Sequence, residues 1–238
     1  GRHMTNQKDT SMYSFDKGPI LVTGASGGIG GATVRQLCAL GADVIANGRN
    51  EEALAGLATE TGCRTLPFDL TSEDSVSQAL DGLDLYGVVN CGGWGGEIAT
   101  PMETDIEVFD KVMSINARGS LLVTKYASRQ MIAGGRGGVF VNVSSQASLV
   151  GLKGHICYGS SKAAFEAATS SWAGDLDGTG VTVNILIPGG AADTNLLPGN
   201  PGDPGRSGAD GKLIDPVVMR APVVWLASDH ANGVSGQR

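Results

Sequence analysis

Tyr158 and Lys162 stand four residues apart in the stretch "ICYGSSKAAFEAATSSWAGDL", Ile156 to Leu176. Four residues is about one helical turn, so in a helix both side chains reach the same side. A phenol is a weak acid with a pKa of about 10, and an ammonium beside it favours the phenolate. The pair has the makings of a tuned proton donor. Spacing alone does not establish that chemistry, because Tyr13 and Lys17 repeat it in a stretch with no other sign of a site.

A second candidate is "LVTGASGGIGGATV", Leu21 to Val34. It follows an apolar run and opens a helical pattern, the context a dinucleotide-binding loop requires. Gly24 permits a sharp turn. Gly28 and Gly30 let the backbone approach a pyrophosphate and let the helix pack on the strand. The helix start then offers unpaired N–H groups to phosphates. An ordinary glycine-rich turn is the competing reading.

The elements that must carry these residues follow from apolar runs and their punctuation. "PILVTG" reads as a buried strand. Val34, Leu37 and Cys38 keep helical spacing up to a stop at Gly41. "DVIANG" is a second strand, residues 50–60 a second helix, and "CRTLPFDL" a third strand broken near Pro67. "TSED" offers a capping box from Thr71 to Asp74. "LYGVVNCGG" is a fourth strand, residues 105–132 are helical, "GVFVNVSS" is a fifth strand, and the Tyr158 segment starts a fifth helix. "VTVNILIPGG" is a sixth strand. Residues 189–214, rich in Gly, Pro, Asn and Asp, are too long and irregular for a simple connection and read as a substrate lid. Asp215 caps a last helical region with Pro216 at its first position, and Pro222 divides that region in two. Residues 1–18 are expected to be loose, and the opening "GRHM" reads as a scar of expression.

Strand and helix alternate throughout, with nearly continuous apolar strands. The expectation is α/β: a doubly wound parallel sheet (Rossmann fold), one domain over residues 19–238. Ligands then sit at the carboxyl ends of the strands. Thr23, Asn90, Ser144, Ser145 and Pro188-Gly189 fall there.

Composition narrows the function classes. Lys and Arg number 17 against 24 Asp and Glu, a net charge of −7, which argues against nucleic acid or anionic membrane as partner. No apolar run approaches the length of a membrane span. Cys38, Cys63, Cys91 and Cys157 lack metal-ligand or Cys-x-x-Cys spacing, so the expectation is reduced packing residues, no metal, and a cytoplasmic location.

The glycine loop is spaced Thr-Gly-x-x-x-Gly-x-Gly, from Thr23 to Gly30. That form resembles the short-chain dehydrogenase/reductase family, in its single-domain branch. Further motifs occur in the family's order: Asp69 closing the third strand, "NCGG" at 90–93, Asn116 in "SINARG", "NVSS" before "YGSSK", and "PGGAADT" at 188–194. The resemblance covers about residues 18–238. "NCGG" replaces the usual Asn-Asn-Ala-Gly, and one extra residue precedes Thr194. "NVSSQAS" is similar to dicarbonyl/L-xylulose reductases of the family.

The resemblance implies an enzyme that moves a hydride between a nicotinamide coenzyme and a ketone or secondary alcohol. Tyr158 is then the general acid or base; Lys162, with the positive nicotinamide of the oxidised coenzyme, lowers its pKa, and Lys162 also binds the nicotinamide ribose. Asn116 holds a water on the proton path. Ser145, thirteen residues before Tyr158, holds the substrate oxygen, and Ser144 is left as a structural hydroxyl. The coenzyme is held by Thr23, Gly24, Ser26, Gly28, Ile29, Gly30, Asp69, Leu70, Asn90, Gly92, Pro188, Gly189 and Thr194, together with Tyr158 and Lys162. NAD-using relatives place an acid at the end of the second strand. Here Gly48 occupies that place and Arg49 follows, a residue able to grip a 2′-phosphate. NADP(H) is therefore the preferred coenzyme, with NAD(H) as the alternative, and the implied assembly is a homotetramer or homodimer. An NAD-linked polyol or sugar dehydrogenase and a non-catalytic dinucleotide-binding regulator are the rival readings.

Overall fold

The computed structural model describes residues 13–192, 194, 196, 200–204 and 212–238. Six parallel strands form the sheet: β1 (Ile20–Thr23), β2 (Val44–Ala46), β3 (Arg64–Thr65), β4 (Gly87–Asn90), β5 (Gly138–Val143) and β6 (Val181–Leu186). Their order is β3-β2-β1-β4-β5-β6, so the winding reverses between β1 and β4. Thr23 registers with Asn90, and Asn90 with Asn142, at the carboxyl ends. This is the expected doubly wound fold, and its switch point lies where the glycine loop begins.

Alternation along the strands builds two cores. Ile20, Val22, Val44, Val89 and Val141 face one way, against α1 (Gly28–Ala39), α2 (Glu51–Thr61) and α7 (Arg220–Ala227). Leu21, Ile45, Val88, Phe140 and Val183 face the other, against α3 (Glu73–Leu80) and α5 (Ser120–Gly134). Both faces are covered, which is why the strands read as unbroken apolar runs.

Several local expectations are corrected. The third strand is only two residues long, although Leu66 N–H still bonds to the Ala46 carbonyl at 2.9 Å; Pro67, which has no N–H, follows at once. The α3 cap is Ser72, whose Oγ accepts from Ser75 N–H at 3.2 Å, not Thr71. The helical region from 105 is not one α-helix. It runs as α4 (Ile106–Met113), a π-helical turn (Ser114–Gly119) and then α5. Asp215 caps as expected, but a 3₁₀ turn (Pro216–Met219) passes into α7 at Arg220, so Pro222 lies inside the first turn of α7 rather than at the division. Tyr13 and Phe15, expected to be loose, pack on the first core, and Lys17 pairs with Asp229 at 2.7 Å.

Candidate active site

The glycine loop is built by close approach. A Cβ on Gly30 would meet the Gly24 carbonyl oxygen at 2.2 Å, and Gly24 has φ +63°, where a Cβ would lie 2.7 Å from the Gly92 backbone. Thr23 Oγ accepts from Gly92 N–H at 3.1 Å, tying the ends of β1 and β4 together. Helices α2, α3 and α4 each begin with a side-chain cap, from Asn50, Ser72 and Asp105. Helix α1 begins at Gly27 with no side-chain cap and no acid in its first turn. Its N–H groups and dipole are thereby left for an external anion, which fits a coenzyme pyrophosphate. Residues Leu70 and Thr194 close on this region: Leu70 Cδ1 lies 2.8 Å from a Cβ built on Gly92, and Thr194 Cγ2 lies 2.5 Å from one on Gly28. Ile29 packs on the first core beneath the loop.

At the end of β2, a Cβ on Gly48 would lie 2.9 Å from Ser26 Oγ. The space an acidic side chain would need is filled by Ser26. Arg49 is exposed beside it. The Asp69 carboxylate is held below its usual range chiefly by Thr71, whose N–H and hydroxyl both donate at 2.8 Å, with a smaller contribution from the Arg49 charge.

Helix α6 (Ile156–Asp175) carries the Tyr158–Lys162 pair. It comes close to the turn after β5 because Gly159 has no side chain: a Cβ there would meet the Ala147 carbonyl oxygen at 2.9 Å. In that turn Ser145 Oγ accepts from Ala147 N–H at 3.2 Å, and the Ser145 side chain lies near enough to the Tyr158 phenol to act on it. Lys162 Nζ donates to the Val143 carbonyl at 3.1 Å and lies 5.8 Å from the Tyr158 ring centre. Desolvation pushes the Tyr158 phenol up to about 12, opposed by Ser145. The expected lowering belongs to Lys162 together with the oxidised coenzyme; in the protein by itself burial raises the phenol. Desolvation likewise brings Lys162 down to about 8, opposed by Cys91 and Glu166.

Asn116 lies fully buried inside the π-helical turn. Its Oδ1 accepts from Trp94 N–H at 2.8 Å, and its Nδ2 donates to the Trp94 carbonyl and to Ser161 Oγ, both at 2.9 Å. Ser161 in turn donates to the Tyr158 carbonyl at 2.8 Å. Asn116 is a strut between the β4–α4 segment and α6. Both its amide hydrogens are used, so a water would have to take acceptor capacity left on its oxygens.

The structure brings together Ser145, Tyr158 and Lys162, with Asn116 joined to them through Ser161. It separately gathers Thr23, Gly24, Gly28, Gly30, Leu70, Gly92 and Thr194. Asn90 joins the second group by register and donates to Asn142 Oδ1 at 2.8 Å, while its own Oδ1 is buried without a protein partner. Pro188 and Gly189 follow the end of β6, and a Cβ on Gly189 would have open space around it. Tyr13 and Lys17 lie elsewhere, against His230 and Asp229. Of the segment 189–214, expected to be a lid, residues 193, 195, 197–199 and 205–211 lie outside the described residues. Its two ends meet, with Ile214 N–H on the Ala191 carbonyl at 2.8 Å. Cys91, as a packing residue, has its thiol pushed up to about 12 by burial. Sequence reasoning missed Ser161, the Trp94 backbone and Glu166. The last carried a signal, an acid four residues beyond Lys162 in an alanine-rich helix.

Comparison with known proteins agrees with the fold. The sequence profile described as short chain dehydrogenase matches residues 19–201. The chain is 35% identical over 242 residues to a cis-4-hydroxycyclohexanecarboxylate dehydrogenase of Sinomonas cyclohexanicum, covering 94% of each. It is 36% identical over 169 residues to L-xylulose reductase of Bos taurus, covering 71% of this chain and 69% of that protein. Among solved structures, a short-chain type dehydrogenase/reductase from Mycobacterium ulcerans superposes with a TM-score of 0.85 at 30% identity, covering 94% of this chain and 88% of the other.

Proposed function

Because the chain belongs to the short chain dehydrogenase family, an NAD(P)-dependent oxidoreductase of alcohols and ketones, we propose that it uses NADP(H) in preference to NAD(H), with Tyr158 as general acid and base. The observation that carries this reading is Tyr158 on α6 with Lys162 Nζ 5.8 Å from its ring centre, one helical turn on, and Ser145 beside the phenol. The bound nicotinamide supplies or takes the hydride. In reduction, Tyr158 gives its proton to the carbonyl oxygen while Ser145 donates a hydrogen bond to the same oxygen as charge grows there. A phenol held near 12 stays protonated at neutral pH, the state reduction requires. Once the proton has left, the Lys162 ammonium favours the phenolate. Asn116 fixes the Trp94 backbone and, through Ser161, the start of α6.

The glycine loop with Thr23, Gly24, Ser26, Gly28, Ile29 and Gly30 would hold the pyrophosphate side of the coenzyme. Asp69, Leu70, Asn90, Gly92, Pro188, Gly189 and Thr194 would flank the remainder. Preference for NADP(H) is supported by Arg49 beside a Gly48 whose side-chain space is taken by Ser26. The segment 189–214 would cover the substrate, supported by Thr194 against Gly28 and Leu196 against Gly95. Self-association as a tetramer or dimer is supported by the exposed apolar side chains Met102, Ile106, Leu121 and Ile132.

The test is Tyr158→Phe, assayed against a panel of ketones with NADPH. Turnover should fall by about 10²–10⁴-fold, the worth of general acid catalysis, while coenzyme affinity measured by fluorescence stays within about twofold. Wild-type turnover in the purified variant would sink the reading.

A further inference from the structure

Glu166 is a buried carboxylate that the catalytic reading does not use. It lies on α6 one turn beyond Lys162 and is only 9% exposed. Such a group is costly unless paired. Here Oε1 accepts from Ser144 Oγ at 2.6 Å and is bonded by Ser148 Oγ, while Oε2 accepts from Arg238 Nε at 2.9 Å. The two serines bracket Ser145. Ser148 also closes on Ser145 itself: its N–H and its hydroxyl lie 3.1 and 2.8 Å from the Ser145 carbonyl oxygen. Ser144 is held from behind, its N–H on the Leu186 carbonyl of β6 at 2.9 Å. The turn that presents Ser145 is thus gripped on both sides by one carboxylate.

We propose that Glu166 is a positioning residue: it clamps Ser144 and Ser148 so that Ser145, between them, is held beside Tyr158 for the substrate oxygen. The proposal rests on the catalytic reading above. The carboxylate has a second effect on the same site, because its charge favours the Lys162 ammonium against the desolvation that lowers it. The charged groups that face it are Lys162 on α6 and Arg238.

The test is a double-mutant cycle between Glu166→Ala and Ser145→Ala, read as kcat and as KM for the coenzyme. Misplacing a reacting group by about 1 Å can cost up to 10²-fold, so Glu166→Ala should lower kcat about 10- to 100-fold and leave coenzyme KM within about twofold. In the Ser145→Ala background the same change should cost less than about threefold, because the group it positions is gone. Glu166→Gln keeps an acceptor for the two hydroxyls and should restore most of the turnover. If Glu166→Ala does not fold, the double variant Ser144→Ala/Ser148→Ala removes the clamped hydroxyls and leaves the carboxylate with Arg238, and the same coupling to Ser145 is expected. Unchanged kcat in the folded variants, or a loss equally large without Ser145, overturns the clamp. Ser145→Ala and Tyr158→Phe alone test the catalytic reading: if both turn over normally that reading fails, whereas if both are impaired and the Glu166 variants are not, only the clamp falls.

Discussion

At the scale of the residue, the proposed preference for NADP(H) rests on one cation, Arg49. Arg49→Ala should raise KM for NADPH by roughly tenfold to a hundredfold, the worth of a charged hydrogen bond of about 1.5–3 kcal/mol, and leave KM for NADH nearly unchanged. Steady-state kinetics with both coenzymes checks this, and an equal response would mean that Arg49 does not read the 2′-phosphate. The residues of the site were unequally legible. Tyr158 and Lys162 stand out by type and spacing, yet Tyr13 and Lys17 share that spacing and serve packing and an ion pair. What separates the pairs is which strand ends surround them, a property of topology rather than of spacing. Glu166 was harder to see because its partners come from positions 144, 148 and 238, brought near only by the fold.

At the scale of the element, the glycine loop makes a graded prediction. Gly30→Ala drives a Cβ into a backbone carbonyl at 2.2 Å, which cannot move without reshaping the loop. Gly28→Ala meets the Thr194 side chain at 2.5 Å, which belongs to a separate segment and can shift. Gly30→Ala should therefore destabilise the fold by about 1–3 kcal/mol or more and abolish coenzyme binding, with Gly28→Ala milder in both. Denaturant unfolding and coenzyme titration of the two variants check the order. Strands and helices were largely readable from apolar runs and breakers. The short β3 escaped because Leu66 and Phe68 look like strand residues although Pro67 between them cannot donate to a ladder. The 3₁₀ turn ahead of α7 escaped because a cap and a proline announce that a helix begins, not how tightly its first turn is wound.

At the scale of the whole molecule, burying Lys162 links its proton to global stability. With its pKa near 8, lower than the 10.5 of a free lysine, the unfolded chain binds more protons than the folded one between these values. Stability referred to a Lys162→Met variant should therefore rise with pH, by about 1 kcal/mol between pH 7 and 9 and further toward 10.5, and should be flat below pH 7, where the cost of the buried ammonium is at its full value. Urea midpoints of both proteins across that range check the sign; a fall with rising pH would mean that the ammonium is stabilised rather than strained by its site. The two-sided burial of the sheet was legible in the apolar strands. The packing of Tyr13 and Phe15 on the first core was not, because two aromatics in a polar stretch carry no period.

The π-helical turn at Ser114–Gly119 has an evolutionary reading. On one side of it Val112 is buried, and on the other Leu122, Val123, Ala127 and Met131 lock α5 into the second core. The extra residue lets both helices keep their own phase while Asn116 points inward, as a single-codon insertion into an ancestral α-helix would. Each residue of an α-helix advances the phase by roughly 100°. Deleting Ala117 would thus make one face or the other swing out of register. The expected product folds on α5, loses the Trp94 and Ser161 bonds of Asn116, and is inactive, which activity and circular dichroism of the deletion can check. For this helix an indel, more than any point substitution, is the mutation that would silence the enzyme while sparing its fold.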